Sequence, residues 1–344
     1  MQTKGNRILP AFLATLLLFA CPILGRAQLK IVDEKDGKPI AGAYVFSNDN
    51  HLLCMSDANG DTQPLEGTVT ISVLSYEPKT IDASKTKGTV SLRQKPYALP
   101  EVVVHGTDYL KLVGAFRDIC RNDGKTILYR EGIMNFYINM KTHKIQRRVR
   151  ACRQYECPKL RSIVNFNIAI LGQAQSTDLS RIRYIKRDSV SETRGDTTFY
   201  RSTHKGKTVD DAIMYIDTHR DGVYRHIIDN NKYRKSVNAM LKVHTALCDW
   251  TFSSKEETWS SLLAFRSIYN YDYMPLPGKK FIASEEMKDF VVTEVLPLSS
   301  EQAKAELKDK SETADFTLPD CLPPLPYDVA KETKDLLKKK FWEM

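Results

Sequence analysis

The sequence predicts a mainly β protein: an N-terminal antiparallel β-sandwich, then an α+β second domain built as a curved antiparallel sheet or half-barrel with covering helices. Three observations lead there. Short alternating runs such as Thr68-Val69-Thr70-Ile71-Ser72-Val73 recur between turns rich in Gly, Asp and Pro. A long hairpin pattern follows from Thr126 to Arg153, and Phe290 to Val295 reads as a late strand. Beyond the first 27 residues no apolar run reaches the ~18 residues that a spanning helix needs.

The chain opens on Lys4 and Arg7, an apolar run from Ile8 to Leu24, and Gly25-Arg26-Ala27. That pattern is a secretory signal peptide over 1–27, cleaved after Ala27. Leu18-Phe19-Ala20-Cys21 offers an alternative, a lipobox that would place a lipid anchor on Cys21. Either way the protein is expected to be exported, to the periplasm, the outer membrane or the exterior. Lys and Arg number 51 against 42 Asp and Glu, a formal charge of +9. This modest excess suits weak attraction to anionic lipid or glycan, and peripheral membrane contact, rather than a specific ligand.

Residues 28–104 read as the sandwich. Asp36-Gly37 and Pro39 turn the chain into Ile40 to Phe46, and Ser56-Asp57-Ala58-Asn59-Gly60-Asp61 is a second turn. Asp57, Asn59 and Asp61 suggest calcium ligands, but Gly60 comes too early and no Glu stands twelfth, so a plain turn is expected. In Thr68 to Val73, Val69, Ile71 and Val73 take the core face and the hydroxyls are expected in water. Thr80 to Asp82, Thr89 to Leu92 and Glu101 to Val104 complete the set.

After a linker at 105–107, the second domain spans 108–298. Tyr109, Leu112, Val113, Phe116, Ile119 and Cys120 recur at helical spacing behind a Thr107 or Asp108 cap, which predicts a covering helix to about Arg121. Ile127 to Met140 and Lys144 to Arg153 predict a long hairpin turning at Thr142-His143. Lys144, Arg148 and Arg150 share one side of it, as an anion-binding surface for phosphate or carboxylate or as a solvated, ion-paired strand. Strands follow at Ile182 to Ser189, Thr197 to Ser202, Ala212 to Thr218 and Val223 to Ile228, the last two joined by Arg220-Asp221-Gly222. Trp259, Phe265, Tyr269, Tyr271 and Tyr273 either line an apolar cavity or pack a core.

Ser299 and Gln302 form a capping box for a helix to about Lys310, which opens a Pro-interrupted helical tail over 299–344. Pro319, Pro323, Pro324 and Pro326 make its linker, and a last helix from about Asp328 ends in Lys338-Lys339-Lys340-Phe341-Trp342. Cys152 and Cys157, spaced C-x4-C, are placed for a disulfide in an oxidising compartment. They lack the second ligand pair that a zinc site needs.

Taken together, Ile31-Val32-Asp33, Asp36 to Ala43, Ser56 to Gly60 and Leu99-Pro100-Glu101-Val102-Val103-Val104 resemble the carboxypeptidase D regulatory-like domain of Bacteroidota envelope proteins. The resemblance implies a transthyretin-like sandwich that accompanies receptors and enzymes. A second one, on Tyr129-Arg130-Glu131 and Met214-Tyr215-Ile216-Asp217, is to the extension of uncharacterised members of that group, and implies a half-barrel like periplasmic lipoprotein carriers. None of the seven histidines stands in the H-x-x-E pattern of a zinc carboxypeptidase. G-x-S-x-G, H-E-x-x-H, Walker A and dinucleotide-binding glycine motifs are also missing. The expectation is a non-catalytic envelope protein without a metal or cofactor, in which a sandwich adaptor precedes a domain binding a protein, glycan or lipid. Nucleic acid is not an expected partner. The alternatives are a periplasmic lipid carrier and a hydrolase with its site in the second domain.

Overall fold

The computed structural model describes residues 28–48, 51–95, 106–156, 189–195, 197–204, 207–208, 214–220, 222–229, 240–313, 316–318 and 322. The predicted leader, Cys21, Cys157, the strand from Ile182 up to Ser189, the Glu101 to Val104 run, the proline linker and the last helix lie outside these residues, Ser189 aside.

The first six strands are β1 (Leu29–Asp33), β2 (Tyr44–Ser47), β3 (Leu52–Met55), β4 (Thr68–Ser72), β5 (Lys79–Asp82) and β6 (Gly88–Leu92). Four of them form an antiparallel sheet in the order β3-β2-β4-β5, and β1 pairs with β6 in parallel. Between the two sheets Leu29, Ile31, Val45, Val69, Ile71, Val90 and Leu92 form one apolar core. The period-2 pattern of these short strands puts alternate side chains there. At the turn, Asp57 Oδ1 accepts from the Asn59 and Asp61 amides at 2.8 and 2.9 Å, and Gly60 takes φ +76°.

The remaining strands are β7 (Tyr109–Asn122), β8 (Lys125–Asn139), β9 (Ile145–Glu156), β10 (Ser189–Arg194), β11 (Thr197–His204), β12 (Lys207–Thr208), β13 (Met214–Arg220), β14 (Val223–Asp229), β15 (Leu241–Phe252), β16 (Leu262–Tyr273) and β17 (Ile282–Leu298). They join in one antiparallel sheet ordered β10-β11-β13-β14-β15-β16-β17-β7-β8-β9, with β12 paired to β11. Register shifts interrupt the pairings of β15 with β16, β17 with β7, β7 with β8 and β8 with β9. Such bulges bend their strands and give a long sheet its curvature.

The helix expected to Arg121 is instead strand β7, an interior strand of the sheet between β17 and β8. A central strand packs on both faces, so its apolar residues do not alternate cleanly and can imitate a helical stripe. Leu110, Leu112 and Phe116 go to one core while Ile119 joins another on the opposite side. The one α-helix among the described residues, α1 (Ser300–Lys308), begins with the expected capping box of Ser299 and Gln302.

The large sheet has two different faces. One carries a broad apolar cluster that includes Leu112, Phe116, Met134, Phe136, Trp250, Phe252, Phe265 and Phe290. The opposite face receives the sandwich: Tyr44 and Phe46 of β2 pack on Ile119, Ile227, Leu247, Ile268 and Met287. The hydroxyl face of β4, expected in water, is therefore covered, and Thr70 and Ser72 are buried. Beside the sandwich α1 seats Ala303 against Tyr137 and Leu298. The chain then runs along β9, where Thr313 donates to Arg150 O and accepts from the Cys152 amide, each at 3.0 Å. Leu318 and Leu322 return to Leu74 of the sandwich.

Candidate functional site

The contact between sandwich and sheet is polar at its centre. Arg225, Asp249, Arg266 and Asp289 stand on the adjacent strands β14, β15, β16 and β17, all pointing at the sandwich. Asp249 lies directly opposite Arg266, and Arg266 opposite Asp289. The four charges thus alternate in sign across four strands. Arg225 Nη2 and Asp249 Oδ2 are 2.7 Å apart, and Arg266 Nε and Asp289 Oδ1 are 2.6 Å apart. Tyr44 reaches in from β2, donating to Asp249 Oδ2 at 3.1 Å, with its ring under both guanidinium groups at 5.4 and 6.0 Å. Arg225 Nη2 donates to Gly42 O at 2.9 Å and Arg266 Nη1 to Ser72 Oγ at 3.0 Å.

All five side chains are buried. Burial pushes the Tyr44 hydroxyl well above its ordinary value and the nearby Asp249 charge adds to that, so it stays a donor. Burial works against the Arg225 charge, but Asp249 outweighs it and holds the guanidinium ionised. With each charge offset, the ladder fixes the sandwich to the sheet by geometry. Sequence reasoning missed it, although a signal existed: lone charges sit inside apolar runs, as in Leu247-Cys248-Asp249-Trp250 and Ala264-Phe265-Arg266.

The three cations of the predicted anion surface do not stay together. Lys144 is exposed in the turn before β9. Arg148 and Arg150 point instead at the C-terminal end of α1. Arg148 donates from Nε and Nη2 to Leu307 O at 3.0 and 2.8 Å, and Arg150 from Nη2 to Glu306 O at 2.7 Å and to the Tyr137 hydroxyl at 3.1 Å. The last carbonyls of a helix lack intrahelical donors and carry partial negative charge, so these guanidinium groups act as its cap.

On the other side of β9 lies a recess of about 320 Å³, lined by Arg130, Met134, Arg147, Arg148, Val149, Lys310 and Glu312. Arg130 is ion-paired with Asp118 and lies over the Phe116 ring. The side chains of Arg147 and Lys310 are exposed and meet no partner among the described residues. Met134 belongs to the broad apolar cluster and Val149 packs against it, so the floor of the recess continues into that face. Charge at the mouth and apolar surface below suit an amphiphilic anion.

The aromatic set on β16 is core. Phe265 packs on Trp250 at 5.5 Å, and Tyr269, Tyr271 and Tyr273 follow one another with ring centroids 5.2 and 5.9 Å apart. Tyr271 donates to Glu286 at 2.9 Å and Tyr273 accepts from Asn122 at 3.0 Å. Burial pushes the Tyr273 hydroxyl up to about 12 and raises Tyr271 further. Trp259 is half-buried in a 3-10 turn (Trp259–Ser261) against the broad apolar cluster. Cys152 is a free thiol that burial pushes up to about 11. Among the described residues no cluster of three His, Cys, Asp or Glu could hold a metal, and no helix is long and apolar enough to cross a membrane, which says nothing of β-barrels.

Fold and site define a mainly β protein in which a small sandwich is clamped to one face of a long antiparallel sheet. No family model and no curated protein matches the chain. Among solved structures, one on lipid–protein interactions in lipovitellin aligns with 65% of this chain at 10% identity and a TM-score of 0.27. This chain spans 28% of the length of that structure. A Bacteroides fragilis protein of unknown function aligns with 78% of this chain and 99% of its own at 10% identity and a TM-score of 0.14.

Proposed function

We propose that the chain is a non-catalytic, exported envelope protein that binds its partner through the second domain, at the recess beside β9. The observation that supports this most is the recess itself, an opening of ligand size whose two cations, without partners among the described residues, stand over an apolar floor. The sandwich serves as a fixed platform rather than a swinging adaptor, because the Arg225 to Asp289 ladder ties it to the sheet. Of the protein, glycan and lipid partners, a lipid suits that lining best. The aromatic residues of β16 are packed as core, which moves the carrier alternative from that strand to the recess.

The test is to isolate the full chain, produced with its own leader, from a bacterial envelope and identify co-isolated lipids and proteins by mass spectrometry. The same is done with Arg147→Glu/Lys310→Glu. A partner retained by the parent and lost by the variant supports the proposal; a partner retained by both, or turnover of an ester or peptide by the parent, contradicts it.

A further inference from the structure

We propose that the recess takes the phosphate head of an anionic amphiphile, with the first part of its apolar stem against Met134 and Val149. This inference rests on the recess being the binding site. Arg147 comes from β9 and Lys310 from the segment that follows α1, so two cations meet from separate stretches of chain. A tetrahedral phosphate can bridge two such cations because its oxygens point in several directions, whereas the oxygens of a carboxylate lie in one plane. Glu312 is the one acidic lining residue. Arg148 adds a third cation at the edge, although its Nε and Nη2 are already engaged by Leu307 O.

The apolar floor sets the second half of the specificity. Met134 is buried within the same cluster as Phe136 and Phe290, and Val149 lies opposite it in register. A free phosphate leaves the exposed part of that floor, chiefly Val149, in contact with water, while an amphiphile covers it. Each methylene so buried contributes ~0.8 kcal/mol, and two of them amount to about a tenfold gain in affinity. The recess is of a size for a glycerophosphate head, and small by the ~300–1,000 Å³ range of ligand pockets. A choline-bearing head of the same length would bring its own positive charge against Arg147 and Lys310.

Calorimetric titration of the full chain with dihexanoyl phosphatidylglycerol below its micelle concentration, dihexanoyl phosphatidylcholine and inorganic phosphate tests the proposal. Phosphatidylglycerol is expected to bind at least tenfold more tightly than either comparator. Arg147→Glu/Lys310→Glu should lose at least tenfold, Arg147→Gln/Lys310→Gln several-fold, and the distant Lys87→Glu/Lys125→Glu nothing. The paired glutamine variant covers a charge reversal that disturbs folding, as judged by its thermal midpoint. Equal binding of inorganic phosphate would remove the stem from the account, and equal binding of phosphatidylcholine would remove the anion; either overturns the proposal. Absent phosphatidylglycerol binding, together with a co-isolated partner lost in Arg147→Glu/Lys310→Glu, overturns the lipid head alone. If that variant loses nothing in either experiment, the recess itself is refuted as the site.

Discussion

Removing one member of the charge ladder should cost far more than a surface salt bridge does. In Asp249→Ala, Arg225 loses the carboxylate that faces its Nε and Nη2, and Tyr44 loses the acceptor of its hydroxyl. Arg225 keeps the carbonyls of Ala41 and Gly42 and the Tyr44 ring, which accept hydrogen bonds or face the cation but do not replace the Asp249 charge. Breaking a buried pair from one side costs about 3–5 kcal/mol. That is a large part of the ~5–15 kcal/mol by which a domain is stable, and corresponds to a fall of about 10 °C in Tm. Arg225→Met should cost a similar amount by stranding Asp249. The double variant Arg225→Met/Asp249→Ala should cost clearly less than the sum, because neither charge is then left alone; a coupling of at least ~2 kcal/mol is expected. Urea denaturation followed by tryptophan fluorescence and circular dichroism measures all four corners. Coincident transitions in the parent would show that sandwich and sheet unfold together. Additive single costs within ~0.5 kcal/mol, or an Asp249→Ala loss below ~1 kcal/mol, would refute the clamp.

Two further outcomes follow from local geometry. Gly132→Ala should be among the most damaging substitutions in the sheet, since a Cβ there would lie 1.9 Å from Ala151 O across the β8–β9 pairing; poor soluble yield or a loss above ~3 kcal/mol is expected, and a neutral variant contradicts that packing. Acid should release α1 early. Asp108 is held below its usual range by Lys141 and Ser300. Glu306 is held below its range too: burial works against the shift, but hydrogen bonds from Lys111 and Tyr137 outweigh it. A folded value below the unfolded one gives stability that is complete above about pH 4.5 and lost as pH falls through the folded value. Hydrogen exchange of residues 300–308, corrected for intrinsic rate, should therefore accelerate below about pH 4 ahead of β16 and β17; simultaneous acceleration would disprove the assignment.

The sequence spoke clearly where local rules act alone. The Ile127 to Arg153 hairpin, the turn before Val223 and the Ser299 capping box all reappear, because turn chemistry and capping are read over a few residues. It misled where tertiary packing decides. Tyr109 to Asn122 has both faces buried, which erases the period of two that would have announced β7. The hydroxyls of Thr70 and Ser72 suggested a solvated face, yet Ser72 accepts from Arg266, a partner 194 residues away that no local pattern could supply. Arg148 and Arg150 were visible as a basic side of β9, but their acceptors belong to a helix more than 150 residues further on. The recess needs β8, β9 and the segment after α1 at once, so of its cations only Arg148 was a candidate for anion binding from the sequence.

The most direct test of a headgroup site beside β9 is photo-crosslinking with a phosphatidylglycerol that carries a diazirine at the start of one acyl chain, followed by peptide mapping. Label is expected on the peptides holding Met134 and Val149, reduced at least tenfold in Arg147→Glu/Lys310→Glu. Label spread over the apolar surface, or undiminished in that variant, would contradict the site.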